Sequence, residues 1–332
     1  MSQGIAFNRA AQLHPFLKAF ESRGGIVGPV LEAAGLEHFD LSDPTTLITG
    51  NSLYRAVQDM SDALADPFFG ARTAEEFVKA GPIFVRESYA VSHTVAEFLP
   101  LAILELDEQI SNIRYSLQIG PEVTVIRGQR QFNPIVPVVQ ADAAAISLWV
   151  TFLRMAVAKD FDPSVLLITA QKVEGIPPDL VPKSSHLKQR WNGISVAFPS
   201  EWLRRPLDLG WKIPSNPRGK IRGTFPREAI LTFLEKICLE RLSERSFGME
   251  EFARLLSAHP RNLQRTLVGL GTSFQQIRDE ARRKKALELM ASGEPLLSEQ
   301  IAEALGFSSA SIFSRAFKRW TGVSPADFRK KL

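Results

Sequence analysis

IAEALGFSSASIFSRAFKRWTGVSPADFRKKL, residues Ile301–Leu332, reads as a short helix, a turn containing Gly306, a longer basic helix and a Gly-Val-Ser-Pro stop. Ile301, Ala302 and Leu305 recur at helical spacing and are expected to face inward. Gly306 falls where the first helix must end in a left-handed turn, and Ser308 is the expected N-cap of the next. That second helix is expected to bury Ile312, Phe313, Phe317 and Trp320 and to leave Ser311, Ser314, Arg315 and Lys318 outside. A helix held on a tight turn, small and basic on its free face, has the shape that the DNA major groove accepts.

Working upstream, the same pattern occurs a second time. Phe252-Ala253 and Leu256 return as Ile301-Ala302 and Leu305 at an offset of 49. Leu263, Arg265 and Leu267 return as Phe313, Arg315 and Phe317 at an offset of 50. Gly271, Ser273, Ile277 and Arg278 return as Gly322, Ser324, Phe328 and Arg329 at an offset of 51. The repeat predicts two helix-turn-helix units joined by a helix over Phe274–Met290, with Ile277, Ala281, Ala286 and Leu289 inward and Arg282-Arg283-Lys284-Lys285 as a basic belt. Such a helix is ~25 Å long at 1.5 Å per residue, and two recognition helices on one face of a duplex need ~34 Å between them. The expected target is therefore an asymmetric site spanning two adjacent major-groove segments. Ahead of the repeat, Arg227–Arg245 is expected to form a helix burying Ile230, Leu234, Ile237, Cys238 and Leu242.

Charge follows the same division. Residues 221–332 carry 19 Lys+Arg against 13 Asp+Glu, whereas residues 1–220 carry 21 against 23. The excess that makes the whole chain +4 thus sits in the last third, where a phosphate-binding footprint is expected. The single cysteine, Cys238, excludes an internal disulfide framework and a cysteine-based zinc cluster, and its place on an apolar stripe argues for a small core residue. The sequence gives no apolar run approaching the ~20 residues that cross a bilayer and no export signal, so a cytoplasmic, nucleoid-associated protein with no membrane partner is expected. No HExxH, Gly-rich phosphate loop or GxSxG occurs, and the five histidines are scattered. Neither enzymatic activity, a cofactor nor a metal site is expected.

Arg205–Pro226, with four prolines and three glycines, breaks all periodicity and marks a boundary. The expected organisation is a first domain over residues 1–206, a linker over 207–226 with its pivot near Pro214–Gly223, and a C-terminal domain over 227–332. Helical signals lie near Ala10–Arg23, Ser52–Ala65, Thr94–Ser111 and Ala141–Lys159. Strand signals lie at Ile113–Ile119 and Val123–Gln129 around a Gly120-Pro121 turn, and at Val165–Gln171 and Ile194–Phe198. The mixture predicts an α+β domain followed by an all-α one. Within the first, Arg86, Tyr89, Arg114 and Arg130 are candidates to hold a carboxylate-bearing ligand. His93, in SHTVAEF, is a weaker candidate, since a helix-start residue bonded to backbone accounts for it better than a chemical role does.

The motifs of residues 227–332 resemble the AraC/XylS family of bacterial transcription regulators. The resemblance is carried by Leu305-Gly306-Phe307, Phe313-Ser314-Arg315-Ala316-Phe317-Lys318, Thr321–Pro325 and Phe328-Arg329. Ala253, Pro260-Arg261, Leu263-Gln264-Arg265, Leu267 and Gly271–Phe274 carry it in the first unit. It implies sequence-specific DNA contacts from Arg261, Asn262, Gln264 and Arg265 on a first recognition helix over Pro260–Val268. The second would offer Ser309, Ser311, Ser314, Arg315 and Lys318. Arginine suits guanine, and glutamine or asparagine suits adenine, because each presents a paired hydrogen-bonding edge. Two departures stand out: His259 replaces the usual Ser N-cap of the first recognition helix, a loss worth ~1 kcal/mol, and Ser257 stands where a turn glycine is common.

More weakly, Asp66–Gly70, Ser92–Glu97 and Trp202–Leu207 resemble the large arabinose-binding-type sensor domain of the branch that includes ornithine and arginine regulators. That branch implies a small-molecule effector, promoter DNA as partner, RNA polymerase where the regulator activates, and homodimerisation through the sensor domain. The alternative within the family is a ligand-independent regulator whose first domain serves dimerisation or protein contacts. An alkylation-repair methyltransferase with the same reader domain is a poor fit, because its chemistry needs several reactive cysteines.

Overall fold

The computed structural model describes residues 4–82, 85–188, 191–212, 225–244, 246–291 and 297–330. They gather into two compact units, Gln3–Phe225 and Pro226–Leu332. Residues 213–224, which hold the expected pivot, lie outside the described residues.

The first unit is α+β. It opens with strand β1 (Phe7–Arg9), helices α1 (His14–Ser22) and α2 (Val27–Ala33), and β2 (Leu47–Thr49), which pairs antiparallel with β1. Helices α3 (Gly50–Ala63), α4 (Phe69–Ala80), α5 (Arg86–Val91) and α6 (Val95–Asp107) follow, then the hairpin β3 (Ile113–Ile119) and β4 (Val123–Arg130). The long helix α7 (Val139–Val157) precedes β5 (Leu167–Ala170), β6 (His186–Lys188) and β7 (Gly193–Pro199). The five later strands form one sheet in the order β3-β4-β7-β5-β6, antiparallel except for the β5–β6 pair. Strand β7, one of the last to be made, therefore lies at its centre. Alternation along β4 turns Thr124, Ile126, Gly128 and Arg130 inward, beside Ile194, Val196 and Phe198 of β7.

Helix α7 organises this unit. Its window Val139–Asp160 is long and apolar enough, by composition, to cross a membrane, which corrects the expectation that no such stretch exists. The reason is burial: Ile146, Trp149, Val150, Phe152 and Leu153 are core residues packed against α3, α4 and β7. Contact with α4 is close enough to depend on a missing side chain. A Cβ on Gly70 would stand 2.5 Å from the carbonyl oxygen of Gln140. Instead the Gly70 amide donates to Gln140 Oε1 (2.8 Å), and Ser147 Oγ donates to the Ala71 carbonyl (2.7 Å). The expected helices and strands recur with ends shifted by a few residues, whereas α2, α4 and α5 were not anticipated. Helix α4 starts Phe69-Gly70 with no capping side chain, so no start signal precedes it.

In the second unit all described elements are helices: α8 (Arg227–Glu240), α9 (Met249–Leu255), α10 (Pro260–Gly269), α11 (Phe274–Ala291), α12 (Ser298–Ala304), α13 (Ala310–Thr321) and α14 (Pro325–Arg329). Helices α9 and α12 start 49 residues apart, α10 and α13 start 50 apart, and α11 and α14 start 51 apart, matching the repeat. Leu263, Leu267, Phe313 and Phe317 are wholly buried, each on the inner face of its helix. Cys238 on α8 is buried as well, and burial pushes its thiol up to about 12, which leaves it protonated and unreactive at neutral pH. Met290 rather than Leu289 completes the inner stripe of α11.

The Gly70 approach yields a direct prediction. Gly70→Ala must push α4 away from α7, at about 2 kcal/mol, so thermal denaturation should show a Tm drop of about 4–8 °C. An unchanged Tm would mean that the two helices do not meet so closely.

Candidate nucleic-acid interface

The two turn–helix pairs are built from the same parts with different residues at the turn. In the second pair, Gly306 adopts φ +69, and a Cβ there would stand 2.1 Å from the Leu242 carbonyl oxygen. In the first, Ser257 takes the equivalent left-handed position at φ +47, where a side chain is disfavoured. The helix starts also differ from expectation. Ser309, not Ser308, caps α13, accepting from the Ile312 amide. His259 does cap α10: its Nδ1 accepts from the Arg261 amide at 3.2 Å, ahead of Pro260 in the first turn. An imidazole nitrogen replaces the serine oxygen, so that cap is substituted rather than lost.

On α10, Arg261, Gln264 and Arg265 are exposed, while Asn262 is half-buried and its Oδ1 accepts from Arg265 Nη2 at 2.6 Å. On α13, Ser311, Arg315, Lys318 and Arg319 are exposed and Ser314 is half-buried. Ile312 is 38% exposed, contrary to its expected place in the core. The inner stripe of α13 is Phe313, Ala316 and Phe317, with Trp320 half-buried at its edge. Ile312 lies one residue, or 100°, off that stripe, a displacement that counting residues per turn could have detected. Arg319 was overlooked because it follows Lys318; its Nη2 donates to Asp279 of α11 at 2.8 Å.

Charge pairing separates these helices from α11. Neither α10 nor α13 contains an acidic residue. The expected basic belt of α11 is neutralised: Arg283 pairs with Glu280 (2.7 Å), Lys285 with Glu288 (2.8 Å), and Lys284 with Glu235 of α8. Arg282 is not on the belt at all. It is buried, Nε donating to the Leu305 carbonyl (2.9 Å) and Nη2 to that of Gly306 (3.2 Å). Its guanidinium lies 4.3 Å from the centroid of the Phe307 ring. Burial, and then neighbouring Arg278, pull its pKa down to about 10, still high enough to keep the charge at neutral pH.

The candidate effector residues of the first unit do not converge. Arg114 is exposed on β3, whereas Arg130 is buried on β4, ion-paired with Asp142 of α7 and donating to Asn192 Oδ1 (3.0 Å). Tyr89 packs against Trp211 (ring centroids 5.0 Å apart), and its hydroxyl accepts from the Leu209 amide. Arg86 is half-buried at the start of α5. His93 is exposed ahead of α6; its amide donates to the Glu97 carboxylate, and the N-cap Thr94 hydroxyl accepts from the Glu97 amide.

Residues 252–331 match the helix-turn-helix domain family. The ornithine utilization regulator of Pseudomonas aeruginosa is 33% identical over 157 residues, which cover 44% of this chain and 44% of that protein. The regulator VqsM of the same organism is 27% identical over 154 residues, covering 43% and 46%. The regulator GlxA of Rhizobium meliloti is 38% identical over 104 residues, covering 31% of each. The chain thus spans less than half the length of the curated relatives it matches. Among solved structures, transcriptional regulator CdpR of Pseudomonas aeruginosa aligns over 83% of this chain and 95% of that one, at 22% identity and a TM-score of 0.34.

Arg282 offers a measurable consequence. Arg282→Ala removes two hydrogen bonds and a ring contact and strands two carbonyls, so it should cost ~2–4 kcal/mol. Arg282→Lys keeps the charge without the planar fork and should recover less than half of that. Denaturant unfolding of both variants decides it: equal stability for Ala and wild type would remove Arg282 from the architecture.

Proposed function

From the premise that residues 252–331 are an AraC-type helix-turn-helix domain, we propose that the chain is a sequence-specific transcriptional regulator responding to a small-molecule metabolite. The observation that carries the DNA half of this reading is the contrast in charge pairing. Arg261 and Gln264 on α10, and Arg315 and Lys318 on α13, are outward side chains without protein partners among the described residues, on helices lacking carboxylates. Elsewhere in the unit Arg254, Arg283, Lys284 and Lys285 are matched to glutamates, and on α13 itself only the neighbouring Arg319 is paired, with Asp279, among the described residues.

In this reading α10 and α13 each enter a major groove. Arg261, Gln264 and Arg265 read base edges from α10, with Asn262 steadying Arg265. Ser309, Ser311, Ser314, Arg315 and Lys318 meet DNA from α13. Ile312 adds an apolar contact of the kind that suits a thymine methyl group. The longer polar side chains on α10 make it the stronger discriminator, and α13 chiefly anchors to phosphate. The first domain, residues 1–206, senses the metabolite and serves dimerisation, with residues 207–226 as linker. For a ligand to change DNA affinity it must bind one state of the chain better than another. RNA polymerase is the further partner where the regulator activates. The relatives named as transcriptional regulators support a non-enzymatic role and a place in the bacterial cytoplasm, and DNA as partner would put the chain at the nucleoid.

Two measurements test the reading. In a gel-shift or anisotropy titration with a selected site, affinity should fall by about 10-fold or more between 50 and 200 mM salt, because Lys and Arg release phosphate counterions. A salt-independent affinity contradicts a groove-and-phosphate interface. On specific versus scrambled DNA, Arg265→Ala should reduce discrimination by ~10-fold or more, while Arg315→Ala weakens both nearly alike. Equal loss of discrimination from both substitutions would overturn the division of labour.

A further inference from the structure

A cavity of about 120 Å³ lies within the first unit, between α1, α3, α4, α6 and α7. None of the five candidate effector residues lines it. Its walls are apolar, and several lining positions on α4 and α7 are alanines: Ala74, Ala141, Ala144 and Ala145. The close approach at Gly70 fixes the spacing of those two helices, and the small residues that follow leave room between them. Phe16, Phe77 and Leu148 on one side are half-buried, so the cavity reaches toward the surface there.

Its other end is polar and deep. Tyr54, Asn112, Tyr115 and Asp142 line it with exposures of 5, 5, 7 and 2%. Two acceptors at that end are unsatisfied. Asp142 spends Oδ1 on Arg130 while its Oδ2 has no partner, and Asn112 gives Nδ2 to the Tyr54 hydroxyl (3.3 Å) while its Oδ1 has none. Burial raises the pKa of both tyrosines, so both phenols stay neutral. A buried unsatisfied acceptor costs on the order of 1–3 kcal/mol, and two beside one cavity mark a place where a donor belongs.

We infer that this cavity is the ligand site of the sensing unit, and that its ligand is a neutral, ring-sized, largely apolar molecule carrying a hydroxyl or amide N–H donor. The inference rests on the small-molecule reading above and names the site and the ligand class. Size comes from the volume: a cavity of roughly 150 Å³ with an apolar lining accommodates a benzene ring. Polarity comes from the two bare acceptors, which receive a donor and repel a carboxylate. Charge comes from the Arg130–Asp142 pair: Asp142 is already balanced, so an added ammonium would be a buried, uncompensated cation. Arg130 therefore serves the site from behind, holding the Asp142 carboxylate in place rather than meeting the ligand.

The test uses the full chain and four probes matched in size: p-cresol, toluene, benzoate and benzylammonium. In thermal denaturation, p-cresol at about ten times its Kd should raise the Tm by about 3 °C or more. Toluene should act several-fold more weakly, and benzoate and benzylammonium not at all. Ala145→Leu, which fills the cavity from α7, should abolish the p-cresol shift while leaving the ligand-free Tm within a few degrees of wild type. Should that variant unfold, the ranking of the four probes on wild type still decides. A shift with benzoate or benzylammonium equal to that with p-cresol, or a p-cresol shift retained in a folded Ala145→Leu protein, overturns the inference. No shift with any probe also overturns it and leaves DNA binding, measured separately, untouched. A p-cresol shift with unchanged DNA affinity keeps the cavity as a binding site and removes the sensing role.

Discussion

The second unit depends on a buried cation meeting a helix end. Helix α12 closes at Leu305 and Gly306, where backbone carbonyls have run out of amide partners and the helix dipole is negative. Arg282, reaching from the middle of α11, gives one donor to each carbonyl and covers the Phe307 ring with its plane. Those contacts tie the joining helix to the turn that aims α13. Gly306 completes the junction from the other side, since no Cβ fits between it and the Leu242 carbonyl of the segment after α8. Removing either residue would leave α13 with its hydrophobic stripe intact but its direction less well fixed. Recognition helices must be placed to within a fraction of a base pair, so direction is what this unit has to secure.

The same residue explains how charge is distributed. A run of four cations on one helix would be an indiscriminate phosphate magnet. Here one is buried as structure and three are matched to glutamates, Glu280, Glu235 and Glu288. With the belt of α11 neutralised, Arg261 on α10 and Arg315 and Lys318 on α13 stand outward on helices that hold no carboxylate. Surface pairs of this kind add little stability. Their effect lies in where they leave the field strongest.

Much of the second unit was legible in its residues, because helix periodicity and a repeated core pattern are local signals. Leu263, Leu267, Phe313 and Phe317 repeat at helical spacing and all are buried. What local pattern could not show was which charges are paired and which are inside. In Arg282-Arg283-Lys284-Lys285 the pairs of Arg283 and Lys285 lie three residues away on the same helix, but the partners of Arg282 and Lys284 come from 23 and 49 positions away. Ile312 misled for the opposite reason: it is apolar but sits one residue off the stripe. His259 looked like a missing cap because an imidazole acceptor is rarer there than a hydroxyl. In the first unit the β3–β4 hairpin was visible from its alternation and turn, whereas the sheet order, with β7 at the centre, depends on pairings between distant segments.

The first unit carries its information in long-range contacts almost entirely, and its buried polar groups show this best. Arg130 is an inward residue on a strand whose other inward residues are Thr124, Ile126 and Gly128, a position that binary patterning would give to an apolar side chain. Burying a guanidinium there is costly unless a carboxylate and further acceptors surround it. Asp142 and Asn192 supply them, drawn from α7 and the approach to β7. Breaking the pair by substitution would strand one charge, so both residues are held in place by each other as much as by any outside function. What that mutual requirement does not explain is the second carboxylate oxygen of Asp142, which Arg130 leaves bare at the edge of a largely apolar cavity. A pair that existed only to satisfy itself would be expected to satisfy both oxygens. Its one open acceptor is where the packing of the first unit meets the cavity.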